Sequence, residues 1–237
     1  MILTAHQPSY LPWLGLFHKM ALADVFVFYD HVQFQTEEFN HRNKIKTPSG
    51  SLWLTVEVGQ RGYLEQTMME TVIQDSKPWR RKHLRSLTQN YQKAPYFDHY
   101  TDFFREMYSK PWKSLVELNF HQLKWFAREL GIETSILRGS ELDLQGQKSD
   151  MVLDMCQKLN ANLFIFGAQG VNYADRDSFA DASVKIMFQD YKHPVYPQLY
   201  GDFVSHLSII DLLFNCGPDS LEILMSGNLE RSDLRSI

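Results

Sequence analysis

Two histidines of this sequence stand where an imidazole could act as a general base. His6 and His31 each follow a short β-favouring run, at residues 2–5 and 25–29. An imidazole titrates near neutral pH, so it can take a proton from a substrate. Asp30 precedes His31 and could orient its ring or hold a metal ion. We therefore interpret His6, His31 and Asp30 as candidate catalytic residues.

Amide and cationic side chains in the same two loops could bind a substrate. Gln7 and Gln33 can both donate and accept hydrogen bonds. Arg42, Lys44 and Lys46 alternate along an extended segment, so their charges share one side, which suits a phosphate group. The alternative is an exposed edge strand, in which lysines prevent aggregation. The substrate-binding candidates from these loops are Gln7, Gln33, Arg42, Asn43 and Lys44.

A third polar loop, at residues 167–173, follows the apolar run 163–166. Glycine lets the backbone approach a phosphate closely, although this loop matches neither the P-loop nor the dinucleotide-binding pattern. A plain turn is the alternative. The substrate-binding candidates here are Gly167, Gln169, Gly170 and Tyr173. The residues at 175–177 match the D-x-D text of metal-dependent glycosyltransferases.

One stretch of the chain is strongly basic. Residues 77–93 contain six cations and no acidic residue, whereas the whole chain has a net charge of −4. Such a stretch could attract an anionic nucleotide, a nucleotide-sugar or a glycan carrier. A solvated helix face is the alternative interpretation of the same pattern.

Metal-binding and nucleophile motifs are missing from the sequence. Its nine His and two Cys form no zinc pattern, and no G-x-S-x-G motif occurs. We therefore predict no metal site and assign no cofactor. Asp211 lies within an apolar run, where a carboxylate needs a partner, and we expect a basic residue or a backbone turn.

The composition excludes several classes of protein. The chain has 237 residues, of which 44% are hydrophobic and 14% aromatic, so it is neither disordered, collagen-like nor a coiled coil. Its acidic balance argues against a dedicated nucleic-acid binder. No apolar run is long enough to span a membrane, and the N-terminal residues lack the pattern of a secretory signal. Together with the low cysteine content, this leads us to expect a cytoplasmic protein.

Apolar runs and breaker residues predict the elements that position these side chains. We expect strands at 2–5, 25–29, 52–58, 134–137 and 163–166, and helices at 14–23, 79–92, 97–108, 112–130, 149–160 and 207–215. Strand, helix and strand in succession at the N-terminus indicate a parallel sheet. We predict one α/β domain over residues 1–225, with flanking helices, a helical insertion near 77–131 and a polar tail at 226–237. Ligands of such sheets bind at the carboxyl ends of the strands, which selects the loops 6–13, 30–46 and 167–177.

Several stretches resemble the WbqC-like protein family over nearly the whole chain, from residue 1 to about 220. They are AHQPSYLPWLG at 5–15, ADVFVFYDHVQF at 23–34, RNKIKTPSG at 42–50, WLTV at 53–56 and LSIIDLLFNCG at 207–217. That bacterial family is encoded among genes for O-antigen and other surface polysaccharides. The resemblance implies a cytoplasmic role in making or modifying an activated sugar.

The opening strand, loop, helix and strand are also similar to the nucleotidylyltransferase-like adenylate-forming enzymes, including pantothenate synthetase. Those enzymes use an H-x-G-H motif to stabilise the phosphate in the transition state. This sequence has His18-Lys19-Met20 at the corresponding place, without the second histidine. His6 is the candidate that could replace it in space.

The leading hypothesis is a transferase that attaches an acyl or aminoacyl group to the amino group of a nucleotide-linked amino sugar. His6 or His31 would be the base, Gln7 and Asn43 would stabilise the oxyanion, and Arg42 and Lys44 would bind the diphosphate. An acyl-CoA, an aminoacyl-tRNA and an acyl-adenylate all remain possible donors. The alternatives are a nucleotidyl- or glycosyltransferase, or a non-catalytic module that binds a nucleotide-sugar or another protein. We expect His6, Asp30, His31, Arg42 and Asn43 around one pocket; the sequence leaves the oligomeric state open.

Overall fold

The short β-favouring runs of the sequence assemble into one parallel sheet. A computed structural model of the chain describes residues 1–59 and 66–236. The strands of the sheet are β1 (Ile2–His6), β2 (Val25–Phe28), β5 (Ser135–Arg138), β6 (Leu163–Phe166) and β7 (Lys185–Phe188). They lie in the order β5-β2-β1-β6-β7, and each pair of neighbours is parallel. The predicted α/β fold with a mainly parallel sheet is therefore confirmed.

Helices cover both faces of this sheet. They are α1 (Leu14–Leu22), α2 (Trp79–Tyr91), α3 (Phe97–Ser109), α4 (Leu115–Glu129), α5 (Ser149–Lys158), α6 (Arg176–Asp181), α7 (Ile209–Cys216) and α8 (Ser220–Met225). Side chains alternate along a strand, so Phe26 and Phe28 pack on the layer that contains α1 and α4, while Val27 packs on the layer that contains α5. Burial on both faces explains why the strands are almost wholly apolar.

Three helices, α2, α3 and α4, lie between the hairpin described below and β5, where the sequence predicts a helical insertion. Aromatic side chains join them to the sheet layer. The ring of Phe126 lies 5.9 Å from that of Phe17 on α1, and the ring of Phe120 lies 5.1 Å from that of Phe28 on β2. These contacts anchor the helical segment over the face of the sheet that α1 covers.

An antiparallel hairpin stands apart from the main sheet. It consists of β3 (Arg42–Thr47) and β4 (Gly50–Thr55), with Lys44 opposite Trp53. Residues 42–46 were predicted as a loop, but they form β3. The strand predicted at 52–58 begins and ends earlier, as β4. The two segments become strands because they pair with each other across the turn at residues 48–49, without joining the parallel sheet.

Besides β3, three strands or α-helices of the structure were not predicted: β7, α6 and α8. Each is only four to six residues long. Short elements carry too few apolar positions to show a period. The polar tail predicted at 226–237 includes a short 3₁₀ turn, Asp233–Ser236, and Ile237 lies outside the described residues.

No helix within the described part of the chain combines the length and apolarity needed to cross a membrane.

The order of the strands determines where a ligand would bind. Numbered along the chain, the strands of the sheet lie in the order 3-2-1-4-5. The chain builds outward from β1 in one direction, through β2 to β5, and then returns to the other side of β1 with β6. The loops after β1 and β6 therefore leave in opposite directions, and this is the place at the carboxyl edge where open α/β sheets form their ligand-binding crevice.

Candidate active site

His6 is the last residue of β1 and stands at the edge of this crevice. The register of β1 and β6 runs from Ile2 beside Leu163 to Thr4 beside Ile165, so its continuation brings His6 level with Gly167. The ring Nδ1 lies 2.7 Å from the carbonyl oxygen of Gln7. A carbonyl can only accept, so Nδ1 carries the proton and Nε2 is left as an acceptor.

The environment of His6 keeps its ring neutral. Burial, together with the nearby charge of Lys19, lowers the pKa of His6 to about 4. At pH 7 the imidazole is therefore uncharged and can accept a hydrogen bond through Nε2. A base with so low a pKa holds a proton weakly, which makes it better suited to orient a substrate than to deprotonate one.

Lys19, on α1, is a functional candidate that the sequence analysis missed. Its side chain is only 3% exposed, and its Nζ donates a 2.8 Å hydrogen bond to the carbonyl oxygen of Ala5. Among the described residues it forms no ion pair and makes no other hydrogen bond. Burial lowers the pKa of Lys19 to about 7. An amine with this pKa is close to half protonated at neutral pH, as an efficient acid–base catalyst should be.

A sequence signal for Lys19 did exist. The helix LGLFHKMAL is apolar on nearly every side, and almost all of its residues are buried. A lysine in such a helix must lie buried, because no polar face is available to it. His18, the other polar residue, bonds through Nδ1 to Gln189 at 2.9 Å and through Nε2 to the carbonyl oxygen of Leu229 at 3.1 Å.

The loop after β6 forms the second wall of the crevice. A Cβ atom built on Gly167 would lie 3.9 Å from Nζ of Lys19, so the backbone of this loop passes close to the amine. Gly170 packs against Phe166, where a Cβ atom would come within 2.5 Å. The remaining candidates of this loop, Gln169 and Tyr173, are exposed to solvent. Of the four candidates in this loop, Gly167 is the one whose backbone lies close to the Lys19 amine.

Asp30 lies at the same edge of the sheet, after β2, but its carboxylate is occupied. It accepts hydrogen bonds from the backbone N–H of Ser140 at 2.8 Å and from the Ser140 hydroxyl at 2.7 Å. Arg138 Nη1 lies 3.7 Å away. Burial alone would raise the pKa of Asp30, but the nearby His31 ring, 3.7 Å away, and the hydrogen bonds from Ser140 lower it below its usual value. The carboxylate thus joins the end of β2 to the turn that follows β5.

His31 packs in the same half of the edge. Its ring lies against Gly139 and Tyr29, and its Nδ1 is 3.7 Å from Asp30 Oδ1. Both ring nitrogens are buried and lack a hydrogen-bond partner within residues 1–59 and 66–236. His31 can therefore still offer a nitrogen to a ligand or a water molecule. Gln33, two residues further on, is exposed and forms a bridge with Thr67.

The loop at 6–13 is held from one side by two asparagines near the hairpin. Asn40 Nδ2 donates to the carbonyl oxygen of Pro8, and Asn43 Nδ2 donates to that of Leu11, both at 2.7 Å. Asn43 is 1% exposed, and its Oδ1 accepts from the backbone N–H of Lys44. The amide of Asn43 is thus engaged with this loop.

Two residues of α4 hold the same loop from the other side. Gln122 Oε1 accepts from the backbone N–H of Leu11 at 3.0 Å, and Gln122 Nε2 donates to Asn119 Oδ1 at 2.8 Å. Asn119 Nδ2 in turn donates to the carbonyl oxygen of Asn40 at 2.8 Å. We refer to Asn40, Asn43, Asn119 and Gln122 as the amide network. It fixes the loop that begins at His6 and Gln7 before any ligand arrives.

Arg42 and Lys44 point to the opposite side of β3 from Asn43. The guanidinium of Arg42 lies 4.8 Å from the centre of the Trp53 ring, and Nζ of Lys44 lies 4.9 Å from it. Trp53 is 41% exposed, and Arg42 also donates to the carbonyl oxygen of Glu37 at 2.5 Å. This exposed aromatic ring with two cations beside it is a second candidate binding surface, separate from His6 and Lys19. We call it the Trp53 surface.

Lys46, the third cation of the row, is buried rather than exposed. Its Nζ donates to Gln198 Oε1 at 2.9 Å and to the carbonyl oxygen of Asp202 at 2.6 Å. Gln198 also donates to Asp211. The expected partner of Asp211 was a basic residue or a backbone turn, but its carboxylate accepts from the hydroxyls of Tyr91 and Tyr196 as well as from Gln198.

No group of three or more His, Cys, Asp or Glu residues in the described part of the chain has the geometry to hold a metal ion. The amine, the imidazole and the backbone at the β1–β6 crevice can instead transfer a proton and donate hydrogen bonds. These are the elements of acid–base chemistry on a bound organic substrate.

Comparison with known proteins identifies the family. A model of the WbqC-like protein family matches residues 7–223. The chain belongs to the WbqC-like protein family. The match includes Lys19, Gly167 and the whole amide network of this WbqC-like protein, and it begins one residue after His6.

The WbqC-like chain is also similar to the uncharacterized protein Rv1507c of Mycobacterium tuberculosis. The two are 33% identical over 220 residues, which cover 92% of this chain and 95% of that protein. No solved structure matches the chain.

Proposed function

We propose that this WbqC-like protein is a transferase that attaches an acyl or aminoacyl group to the amino group of a nucleotide-linked amino sugar. The observation that carries the proposal is the buried amine of Lys19, whose pKa is about 7, beside His6 at the β1–β6 crevice. The family resemblance to proteins of surface polysaccharide gene clusters supports the choice of a sugar substrate.

Lys19 acts as the general base in this proposal. A sugar amine is protonated at neutral pH and must lose a proton before its nitrogen can attack a carbonyl carbon. The neutral Lys19 amine takes that proton and releases it to solvent. The freed sugar amine then attacks, the new C–N bond forms, and the C–S or C–O bond of the acyl donor breaks. Lys19 takes the second proton from the attacking nitrogen and passes it to the leaving thiolate or alkoxide, which restores the free amine.

His6 positions the sugar amine. Its Nε2 accepts a hydrogen bond from the amino group, because the bond between Nδ1 and the Gln7 carbonyl oxygen fixes the tautomer. The low pKa of His6 keeps this acceptor uncharged while Lys19 changes its charge. In this proposal Lys19 takes the role of base that the sequence suggested for His6 or His31.

The Trp53 surface takes the nucleotide. An exposed indole stacks on a nucleobase, and Arg42 and Lys44 beside it attract the diphosphate. The hairpin that bears this surface packs on the loop at 6–13 through Asn43, which links it to the His6 end of the crevice.

A turnover assay tests the proposal. Purified protein is given a nucleotide-linked amino sugar with an acyl-CoA or an aminoacyl-tRNA, and the N-acylated product is measured. We expect kcat/KM to rise with pH and level off above about pH 7, as the free Lys19 amine forms. We expect His6→Asn, which retains an acceptor, to keep more activity than His6→Ala.

The outcomes of this assay separate the alternatives. A pH profile with its midpoint near 4 would return the role of base to His6. Stabilisation by a nucleotide-sugar without turnover for any donor would favour the non-catalytic binding module. A ligand present at about 100 times its Kd adds about 2.7 kcal/mol to the unfolding free energy, which thermal unfolding detects readily.

Nucleotidyl transfer is the second candidate, favoured by the strand order 3-2-1-4-5 with its crevice beside β1. In that reaction the Lys19 ammonium would face a phosphate instead of a sugar amine. The distinguishing measurement is the release of pyrophosphate from a nucleoside triphosphate in the presence of a sugar phosphate.

A further inference from the structure

A basic cavity lies away from the sheet edge, between the start of α2 and the end of α3. Its volume is about 370 Å³. The residues that line it and bear on its chemistry are Lys77, Trp79, Arg80, Arg81, Arg105 and Tyr108. None of the residues proposed above for catalysis or for nucleotide binding lines this cavity.

The side chains around the cavity carry a net positive charge. Four cations and one carboxylate, Asp75, line it, in a chain whose net charge is −4. Arg80 pairs with Asp75 at 3.0 Å, whereas the partners of Lys77 and Arg105 lie outside the lining. Arg81 is exposed and forms no ion pair with any described residue. The cavity therefore retains a positive potential.

Two buried donors on residues that line the cavity have no acceptor among the described residues. The indole N–H of Trp79 is buried, the residue is 3% exposed, and no described residue accepts from it. Nη1 of Arg80 is also buried and unpartnered, although Nη2 of the same side chain bonds to Asp75. A buried donor is costly to leave unpaired, so these two atoms indicate that an acceptor belongs here.

The N-terminus of α2 also favours an anion at this cavity. This 13-residue helix begins after Pro78 without a side-chain cap, and its first turn contains no acidic residue. Helix N-termini carry a partial positive charge and attract anions. Trp79, Arg80 and Arg81 form the first turn, so the helix end, the cations and the unpaired donors all lie at one place.

We propose that this cavity binds the phosphate or diphosphate group of a small phosphorylated ligand. A phosphate oxygen accepts from the Trp79 indole and from Arg80 Nη1, and Arg81 and Arg105 neutralise its charge. A neighbouring groove of about 750 Å³ shares Lys77 and Trp79 with the cavity, is lined also by Trp53, and has room for the rest of the ligand. The proposal does not depend on the transferase activity.

Calorimetry on the full-length protein tests this site, with inorganic pyrophosphate and with UDP as the probes. We expect both to bind. Arg81→Ala should weaken pyrophosphate binding about 10- to 100-fold, the usual effect of losing a charge-assisted hydrogen bond. Trp79→Phe, which keeps the ring and removes the N–H, should weaken it about 5-fold. Tighter binding of UDP than of pyrophosphate, weakened by Arg81→Ala, would identify a nucleotide ligand at this cavity, and equal binding a ligand held by its phosphates alone. UDP binding that Arg81→Ala leaves unchanged would place UDP at the Trp53 surface and count against this site.

Arg85→Ala is the matched control, since Arg85 lies on the same helix, is exposed and does not line the cavity. It should change the affinity less than about twofold. An equal loss for Arg85→Ala and Arg81→Ala would overturn the proposal in favour of a diffuse basic surface, as would a failure of pyrophosphate to bind at millimolar concentration. Lys19→Met should leave the affinity unchanged; a matching loss there would move the ligand to the sheet edge and remove this site.

Discussion

The two halves of the carboxyl edge of the sheet treat their buried ionisable groups differently. After β2 and β5, Asp30 accepts two hydrogen bonds from Ser140 and has Arg138 nearby. After β1 and β6, Lys19 has one carbonyl acceptor and no ion pair among the described residues. We call these the closed half and the open half of the edge.

Burial of an ionisable group does not by itself indicate a functional role. The fold satisfies Asp30 internally, and its lowered pKa reflects those hydrogen bonds. It leaves Lys19 short of partners, and the pKa of this amine falls to about 7. A perturbed group is a better candidate for function when its hydrogen bonds are unmade and it borders a crevice. Asp30, although placed at the same edge, better fits a structural role.

Lys19→Met is the substitution with the largest expected effect. It removes the proposed base, so turnover should fall about 100- to 10,000-fold. The melting temperature should not decrease, because methionine fills a similar volume and removes a buried charge. Lys192→Met, at an exposed lysine after β7, is the control and should retain activity. Full activity in Lys19→Met would show that the lack of partners of this amine does not indicate a catalytic role.

Asp30→Ala tests the closed half. The substitution leaves the N–H and hydroxyl of Ser140 without their acceptor, so the unfolding free energy should fall by about 3 kcal/mol. Chemical denaturation measures this quantity. Asp190→Ala, at an exposed carboxylate, should change it by less than about 0.5 kcal/mol. If Asp30→Ala remains as stable as the control, the carboxylate has no structural role and becomes a catalytic candidate again.

Substitution of one glycine in each half of the edge measures how much space the backbone has there. A Cβ atom on Gly139 would lie 2.6 Å from the His31 ring, so Gly139→Ala should destabilise the fold by about 1–3 kcal/mol. Within the described part of the chain, a Cβ atom on Gly167 meets only Lys19 Nζ, at 3.9 Å, so Gly167→Ala should stay within about 0.5 kcal/mol of the wild type. Thermal unfolding of the pair provides the measurement. Equal destabilisation would mean that the open half is as tightly packed as the closed one.

The pH dependence of stability tests directly whether the folded protein lowers the pKa of Lys19. Between pH 7 and 10.5 the unfolded chain keeps the Lys19 proton, while the folded protein has released it. The unfolding free energy of the wild type should therefore rise with pH relative to Lys19→Met, by at most about 1.4 kcal/mol per pH unit. Below pH 7 the difference should be flat. A flat difference across the whole range would show that the folded state does not lower the pKa of Lys19.

The sequence predicts the sheet well because its strands are continuous apolar runs. The runs at 2–5, 25–29 and 163–166 correspond to β1, β2 and β6, and the strand–helix–strand order implies parallel pairing. The carboxyl-edge rule then selects the loops that contain His6 and Gly167. The same rule could not separate Asp30 from His6, since both follow a strand of the sheet.

The rest of the site depends on contacts between distant parts of the chain. Asp30 and Ser140 are 110 residues apart, and nothing near either residue indicates the pair. Lys19 reaches Ala5 across 14 residues, and the importance of that contact follows from the strand order, which local patterns do not contain. Arg42 and Asn43 share the expected segment, yet strand alternation sends their side chains to opposite sides of β3.

The chemistry of the amide network bears on how the proposed transferase would respond to pH. Its four members hold the loop at 6–13 with carboxamide groups, which neither gain nor lose a proton across the pH range of an ordinary assay. The hydrogen bonds that hold the loop therefore do not depend on pH. A titration seen in the rate of the proposed reaction can then be attributed to the groups inside the crevice or to the substrate, because the amide network that holds the loop does not titrate.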